Sequence, residues 1–267
     1  MIRFNLDRLI MATAYLLFAA GAVQAAPITS DGAFFSEEFS GPTLSSAWTS
    51  AVANGGSVSF PTSPPADVGT VFIASSSVSR DASIFSTGTT TGVINYGAAT
   101  EWAVETRFNI GDATSLSIGG ASPRNSFLLL GRNAANTATI EYLVSLRDGT
   151  AGTFTLGWDG WLGTGAAITD LSAATTNLNR NTYYTLVLHH RTDNNIDFYL
   201  DNVLVATKPA FTGGTPSPRL YIGDASASTA LEAKIDYVRI GNPVPEPGSL
   251  CLLGLGAVTI LAHRQWR

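Results

Sequence analysis

An all-β, antiparallel β-sandwich is the fold this chain predicts, and three observations predict it. Short runs along the chain alternate apolar and polar residues, the period of a strand with one buried face. The runs are rich in β-branched and aromatic residues, which fit a pleated, half-buried surface. Ser, Thr, Gly, Asn and Asp cluster between them as they do in turns, and few windows carry the period of a long amphipathic helix. Many short strands with turn-rich connections and no βαβ alternation favour two packed sheets over a parallel α/β sheet.

Composition narrows the function classes. Of 267 residues, 45% are hydrophobic, 10% aromatic and 13% charged, and the formal net charge is -5. No excess of Lys and Arg is available to neutralise phosphates, which excludes a strongly basic nucleic-acid binder. The charged fraction is about half the ~25% usual for a soluble domain while the hydrophobic fraction is ordinary, which argues against charge-driven disorder. Ser, Thr, Asn and Gly must then make up the surface. Cysteine occurs once, as Cys251, which leaves no intramolecular disulfide and no cysteine metal cluster. The core must hold by packing.

Taken in order, the chain begins with Arg3 and Arg8 ahead of an apolar run from Leu9 to Ala22, followed by Val23-Gln24-Ala25. This is the layout of a helical secretory signal peptide, residues 1–25, cut after Ala25. Its roughly 14 apolar residues fall short of the ~18 to 20 that a spanning helix needs. Residues 26–243 follow as one domain of about 215 residues, normal for a large β-sandwich, with a net charge of about -7. Within it Trp102, Val104, Thr106, Phe108 and Ile110 alternate with Ala103, Glu105, Arg107 and Asn109, which predicts a half-buried strand from Trp102 to Ile110. Similar runs predict strands at Thr70–Ala74, Ser126–Leu130, Thr139–Leu146, Thr153–Trp158, Tyr183–His190, Ile196–Leu200, Val203–Ala206, Leu220–Ile222 and Lys234–Ile240. Residues 49–100 are the least determined by this pattern.

Three passages carry a family resemblance. Tyr183 to Val187, the turn Asp193-Asn194-Asn195, and Ile196 through Phe198-Tyr199-Leu200-Asp201-Asn202 to Val205 read as successive hairpins with Asx-type turns. They are similar to the corresponding passage of concanavalin A-like and laminin G-like jelly rolls. Ala233 to Ile240 resembles the last strand of those domains, and Phe39-Ser40-Gly41 with Leu44 to Trp48 resembles their first. The resemblance implies a jelly roll in which the first and last strands pair.

At the other end, Val244-Pro245-Glu246-Pro247-Gly248-Ser249 precedes an apolar stretch from Leu250 to Ala262 and then His263-Arg264-Gln265-Trp266-Arg267. A helix over about 15 residues would span ~22 Å, thin against a hydrocarbon core of ~30 Å. Arg264 and Arg267 would stay cytoplasmic by the positive-inside rule, leaving the body outside, as the signal peptide also requires. Residues 244–267 resemble the PEP-CTERM sorting signal. The resemblance implies that Pro245-Glu246-Pro247 is read by an exosortase-type membrane enzyme of exopolysaccharide-producing Gram-negative bacteria. That enzyme removes the tail after the precursor has passed through the inner membrane. A Pro-rich linker before a permanent transmembrane anchor is the alternative.

The candidate chemistry is sparse. Glycosidases on this fold commonly place two carboxylates at i and i+2 of one strand, about 6.6 Å apart. No Asp or Glu pair between residues 26 and 243 has that spacing. Glu101 with Glu105, and Glu232 with Asp236, are four positions apart, or about 13 Å on a strand. Glu232, Lys234 and Asp236 share a face and read as a solvated ion-pair stripe. His189 and His190 are adjacent on a strand, so they point to opposite faces and cannot ligate one metal together. No nucleophile elbow, phosphate loop or zinc-protease helix is present in the sequence. No catalytic residue is therefore assigned.

Two binding sets remain. Trp158, Asp159 and Trp161 read as a loop in which indoles stack on sugar rings while the carboxylate accepts hydroxyl hydrogens; the other reading is one indole in the core and one on a turn. Asp193, Asn195 and Asp197, with Asn194, offer oxygens that Ca²⁺ accepts, and a plain hairpin turn accounts for them equally well. The function expected is an exported, non-catalytic protein of the cell surface or extracellular polysaccharide matrix that binds glycans. A glycan hydrolase or lyase on the same scaffold, and a structural surface protein without ligand, are the alternatives.

Overall fold

Alternation in the sequence becomes sixteen strands among the described residues, and their pairing builds two sheets. The computed structural model describes residues 28, 33–61, 69–75, 82–86, 101–114, 125–132, 140–148, 152–162, 169–174, 177–209, 219–223 and 230–242. The helices expected at both termini, residues 1–25 and 244–267, lie outside the described residues. Among the described residues no helix is long and apolar enough to cross a membrane.

In chain order the strands are β1 (Ala33–Glu37), β2 (Trp48–Val52), β3 (Ser57–Ser59), β4 (Val71–Ala74), β5 (Ala82–Ser86), β6 (Trp102–Ile110), β7 (Asn125–Arg132) and β8 (Ile140–Asp148). They continue with β9 (Thr153–Leu162), β10 (Thr169–Ala174), β11 (Leu178–Asn179), β12 (Tyr183–His190), β13 (Asn195–Leu200), β14 (Val203–Pro209), β15 (Arg219–Gly223) and β16 (Glu232–Gly241). The first sheet runs β14-β13-β12-β6-β16-β4-β3, with β1 alongside β16. The second runs β10-β9-β8-β7-β15-β5-β2, with β11 alongside β9. The pairings of both sheets are antiparallel. The architecture is an antiparallel β-sandwich of jelly-roll type.

The inner faces interlock between the sheets. Trp102, Val104, Phe108 and Ile110 of β6, Leu186 and Leu188 of β12, and Val238 and Ile240 of β16 share one cluster with Ile84, Leu146, Phe154, Leu156 and Ile222 of the second sheet. Phe108 meets Phe154 across the layers edge to face at 6.5 Å. Each fully buried side chain of this kind contributes roughly 1.5–3 kcal/mol.

Four features depart from the alternation. The chain ends do pair, through Phe35↔Ile240 to Glu37↔Val238, but the first strand lies at Ala33–Glu37. Phe39–Gly41 and Leu44–Ala47 are not strand, because Phe39 takes a φ of 46° that no strand accommodates, and only Trp48 continues into β2. The polar face of β6 is buried rather than half exposed: Ala103 and Glu105 are 0% exposed and Asn109 4%. The stretch the pattern left undetermined contains β3, β4, β5 and all of β2 but Trp48. In β16 a bulge between Ile235 and Tyr237 leaves Asp236 as the extra residue, which shifts the parity of everything after it.

The expected hairpin turns are present. Asp201 (φ 48°) and Asn202 (φ 65°) join β13 to β14 as a two-residue turn with both φ positive, the type I′ geometry that Asn and Asp tolerate.

Candidate functional site

The outer face of the first sheet gathers most of the chain's organised polar chemistry. Residues of β6 that face away from the core align with outward residues of β12 and β16: Glu105 lies opposite Val187 and Arg239, and Arg107 opposite Thr185 and Tyr237. Because the bulge at Asp236 flips the parity, Tyr237 and Arg239 join this outer row while Val238 and Ile240 stay inside.

Glu105 is the centre of the array. Its Oε2 accepts the Ile28 backbone N–H at 2.5 Å and its Oε1 accepts the Tyr237 hydroxyl at 2.7 Å. The Arg239 guanidinium stands 3.9 Å from Oε1 and binds Glu38 through two hydrogen bonds, Nε to Oε1 at 2.9 Å and NH2 to Oε2 at 3.1 Å. Arg239 also donates to the Ile28 carbonyl at 3.1 Å and stacks over the Tyr237 ring at 3.9 Å. Both polar groups of Ile28 are thus held, and its side chain packs on Ala103, Val187 and Tyr199. Burial pushes the Glu105 carboxyl above its ordinary range, against the opposing hydrogen bonds of Tyr237 and Ile28. Burial also raises the Tyr237 hydroxyl, and the Arg239 hydrogen bond lowers Glu38. This half of the array is a structural anchor.

The other half is open. Arg107 donates to Asp236 Oδ2 at 2.5 Å and stacks over the Tyr183 ring at 4.6 Å, and the Arg107 and Asp236 side chains are 43% and 30% exposed. Guanidinium donors, a carboxylate acceptor and an aromatic ring stand side by side on a rigid sheet. Such groups can exchange hydrogen bonds with, and stack on, a hydroxyl-rich molecule. It contains neither a nucleophile with its base nor two carboxylates free to share a reaction.

The sequence-predicted residues fall in several places. Trp158, Asp159 and Trp161 are in the second half of β9, not in a loop. Trp158 pairs with Val144, Asp159 with Leu143 on one side and Asp170 on the other, and Trp161 with Glu141. The ladder continues past Gly157 and Gly160 because β8 and β10 flank β9 on both sides. Trp158 and Trp161 have opposite parity in the pleat, so their positions belong to opposite faces of the sheet.

Asp193 and Asp197 do converge on one cation, the Arg191 guanidinium, at 2.8 Å and 3.5 Å. Asp197, 4% exposed, also accepts the Thr207 hydroxyl at 2.5 Å. Asp193 accepts the Asn195 backbone N–H at 3.2 Å, which makes the hairpin turn. Among the described residues no group of three or more His, Cys, Asp or Glu is placed to hold a metal ion. Arg191 thus places one positive charge against both carboxylates.

His189 and His190 take opposite faces: His189 Nε2 meets Glu101 Oε1 at 2.8 Å, while His190 is fully buried with its ring stacked on Trp102 at 5.1 Å. Two acids of the expected stripe on β16 also have partners far away in the chain. Asp236 bonds to Arg107, and Glu232 Oε2 accepts the Ala113 N–H at 2.8 Å, closing the turn after β6. Local reading missed Glu105, Tyr237, Arg107 and Tyr183. The local signal was the breaking of alternation at Asp236 and Tyr237, two consecutive outward residues of β16. Pro245, Glu246, Pro247, Arg264 and Arg267 lie outside the described residues.

Comparison with known proteins bears on both parts of the chain. No curated protein matches it in sequence. Among solved structures, a protein of unknown function from Shewanella oneidensis MR-1 is 14% identical, with a TM-score of 0.52 over 87% of this chain and 94% of that one. The cellulose induced protein Cip1 is 16% identical, with a TM-score of 0.52 over 78% and 96%. The globular domain of T. cruzi calreticulin is 13% identical, with a TM-score of 0.52 over 85% and 94%. At such identities the likeness is one of fold. The tail matches a family model outright. The chain is therefore a β-sandwich similar in fold to these proteins, and its residues 243–265 form a PEP-CTERM protein-sorting motif.

Proposed function

We propose that this chain is exported through its signal peptide (residues 1–25) and cut by an exosortase-type enzyme at Pro245-Glu246-Pro247. The body, residues 26–243, then works at the cell surface or in the extracellular matrix as a non-catalytic glycan-binding protein. One observation carries the reading: the last strand ends at Gly241 and the sorting motif begins at residue 243. Cleavage there removes the tail without touching a strand. Glu246 sits in the recognised triplet, and Arg264 and Arg267 hold the tail's end on the cytoplasmic side until the cut.

Glycan contact is assigned to the open half of the outer face, where Tyr183 offers a ring and Arg107 and Asp236 offer hydrogen-bonding groups. Trp158, Asp159 and Trp161 on β9 are the second set. No metal step enters the reading.

The export half is tested by replacing Glu246 with Ala in a host that carries the processing enzyme. The variant protein should be recovered from membranes at the mass of the uncut chain. A variant that is matured and located like the native protein refutes it. The glycan half is tested with the purified body on a polysaccharide array, with Tyr183→Ala and Trp158→Ala/Trp161→Ala beside it; absence of any binding ends this half. New reducing ends or unsaturated products in the same incubation would show that the body is a hydrolase or lyase instead.

A further inference from the structure

We propose that the groove between the outermost strands of the two sheets, β2 and β3, is a binding cleft for a neutral oligosaccharide chain; this rests on the glycan reading above and gives it a specific cleft. Each strand ends its sheet, and the two lie against each other. Between them lies a groove of about 530 Å³, within the ~300–1,000 Å³ range of small-molecule sites. Its described lining includes the hydroxyl-bearing residues Thr43, Thr49, Ser50 and Ser59 together with Trp48 and Phe60, and none of the described lining residues carries a charge.

Trp48 supplies the second observation. It is 4% exposed, held by the rings of Phe35 at 6.2 Å and Phe39 at 5.8 Å, and its indole Nε1–H is buried with no acceptor among the described residues. A buried donor left unpaired is costly, and proteins seldom keep one without a use. A ligand hydroxyl that reaches Trp48 would relieve that cost, while Phe60 offers apolar surface to a sugar ring and the four hydroxyls donate and accept along the walls. An anionic polysaccharide would find no cation here and would lose its hydration without compensation. Charge, donor pattern and size thus converge on an uncharged, hydroxyl-rich chain.

The test uses the purified full chain with a soluble neutral glucan, a neutral mannan and alginate as the anionic probe. Ser50→Glu and Ser59→Glu place a charge at exposed groove positions, and melting temperature monitors their folding. Binding of a neutral glycan that weakens by about tenfold or more in both variants, with unchanged melting temperature, supports the proposal. The Trp48 side-chain N–H signal in ¹H–¹⁵N NMR should also move on saturation with the glycan. Neutral-glycan binding that survives both substitutions and is lost in Tyr183→Ala overturns the groove and leaves the glycan reading standing. Binding of alginate alone does the same. No binding to any of the three overturns both.

Discussion

Glu105 shows how one residue couples distant parts of the chain. Its carboxyl is raised above the ordinary 4.5 mainly by burial, so the folded protein holds that proton more tightly than the unfolded chain does. The stability that Glu105 contributes is therefore complete below about its ordinary range and is lost as pH rises through the folded value. Relative to Glu105→Gln, the native protein should gain stability as pH falls from 7 toward 5, a trend that urea melts of the two proteins at several pH values would show. Equal pH slopes would contradict it. Arg191 makes a second prediction at this scale. Arg191→Ala leaves the nearly buried Asp197 without its guanidinium and should cost about 1–3 kcal/mol in chemical denaturation, while added calcium leaves the melting temperature of the native protein unchanged. Neither role was readable locally. Glu105 looks like one polar position of an alternating strand, and what buries it is Ile28, 77 positions away.

Strands set the limits at the next scale. Gly223 closes β15 with a φ of 139°, and a Cβ there would meet the Ala82 carbonyl oxygen and the Ser83 Cα, both at 2.6 Å. Gly223→Ala combines backbone strain with a backbone clash and should destabilise by about 2 kcal/mol or more, with exchange protection lost first at the β15–β5 seam. The segment around Ile28 acts as a clamp on the outer face. Ile28→Ala empties a site formed by Ala103, Val187 and Tyr199 and should cost about 2–5 kcal/mol by urea denaturation, well above the effect of an exposed change such as Val52→Ala. Regular strands were legible: β6 and β12 have the bounds that alternation predicts, because both faces of their pattern are unbroken. Others were not. β1 precedes its expected place because Phe39 breaks the strand with a positive φ, and β9 extends through Trp161 because partners on both sides complete its ladder.

Across the molecule, the division between body and tail makes a prediction. The paired strands among the described residues lie between Ala33 and Gly241, so a chain ending at residue 243 should melt at the same temperature as the full chain with its tail held in detergent. A lower melting temperature of the shortened chain would mean that the tail packs on the sandwich. The anchor made by β1, Arg239, Glu38 and Ile28 ties the chain's start to its last strand, with Arg239 and Glu38 201 positions apart. Such long-range closure suits a body with a single cysteine and hence no intramolecular disulfide, since packing and buried hydrogen bonds must do what a crosslink does elsewhere.

The sequence by itself determined the sorting tail, the all-β class and the regular strands. Each depends on residue order over a short span, and side-chain alternation is a local property of the backbone. Tertiary structure alone decided which polar residues are buried, that the Arg191 guanidinium lies between Asp193 and Asp197, and that a bulge at Asp236 sends Tyr237 and Arg239 outward. It also decided that β2 and β3 flank a groove. Those outcomes depend on contacts between segments far apart in sequence, and the period of any one strand carries no information about what will cover it.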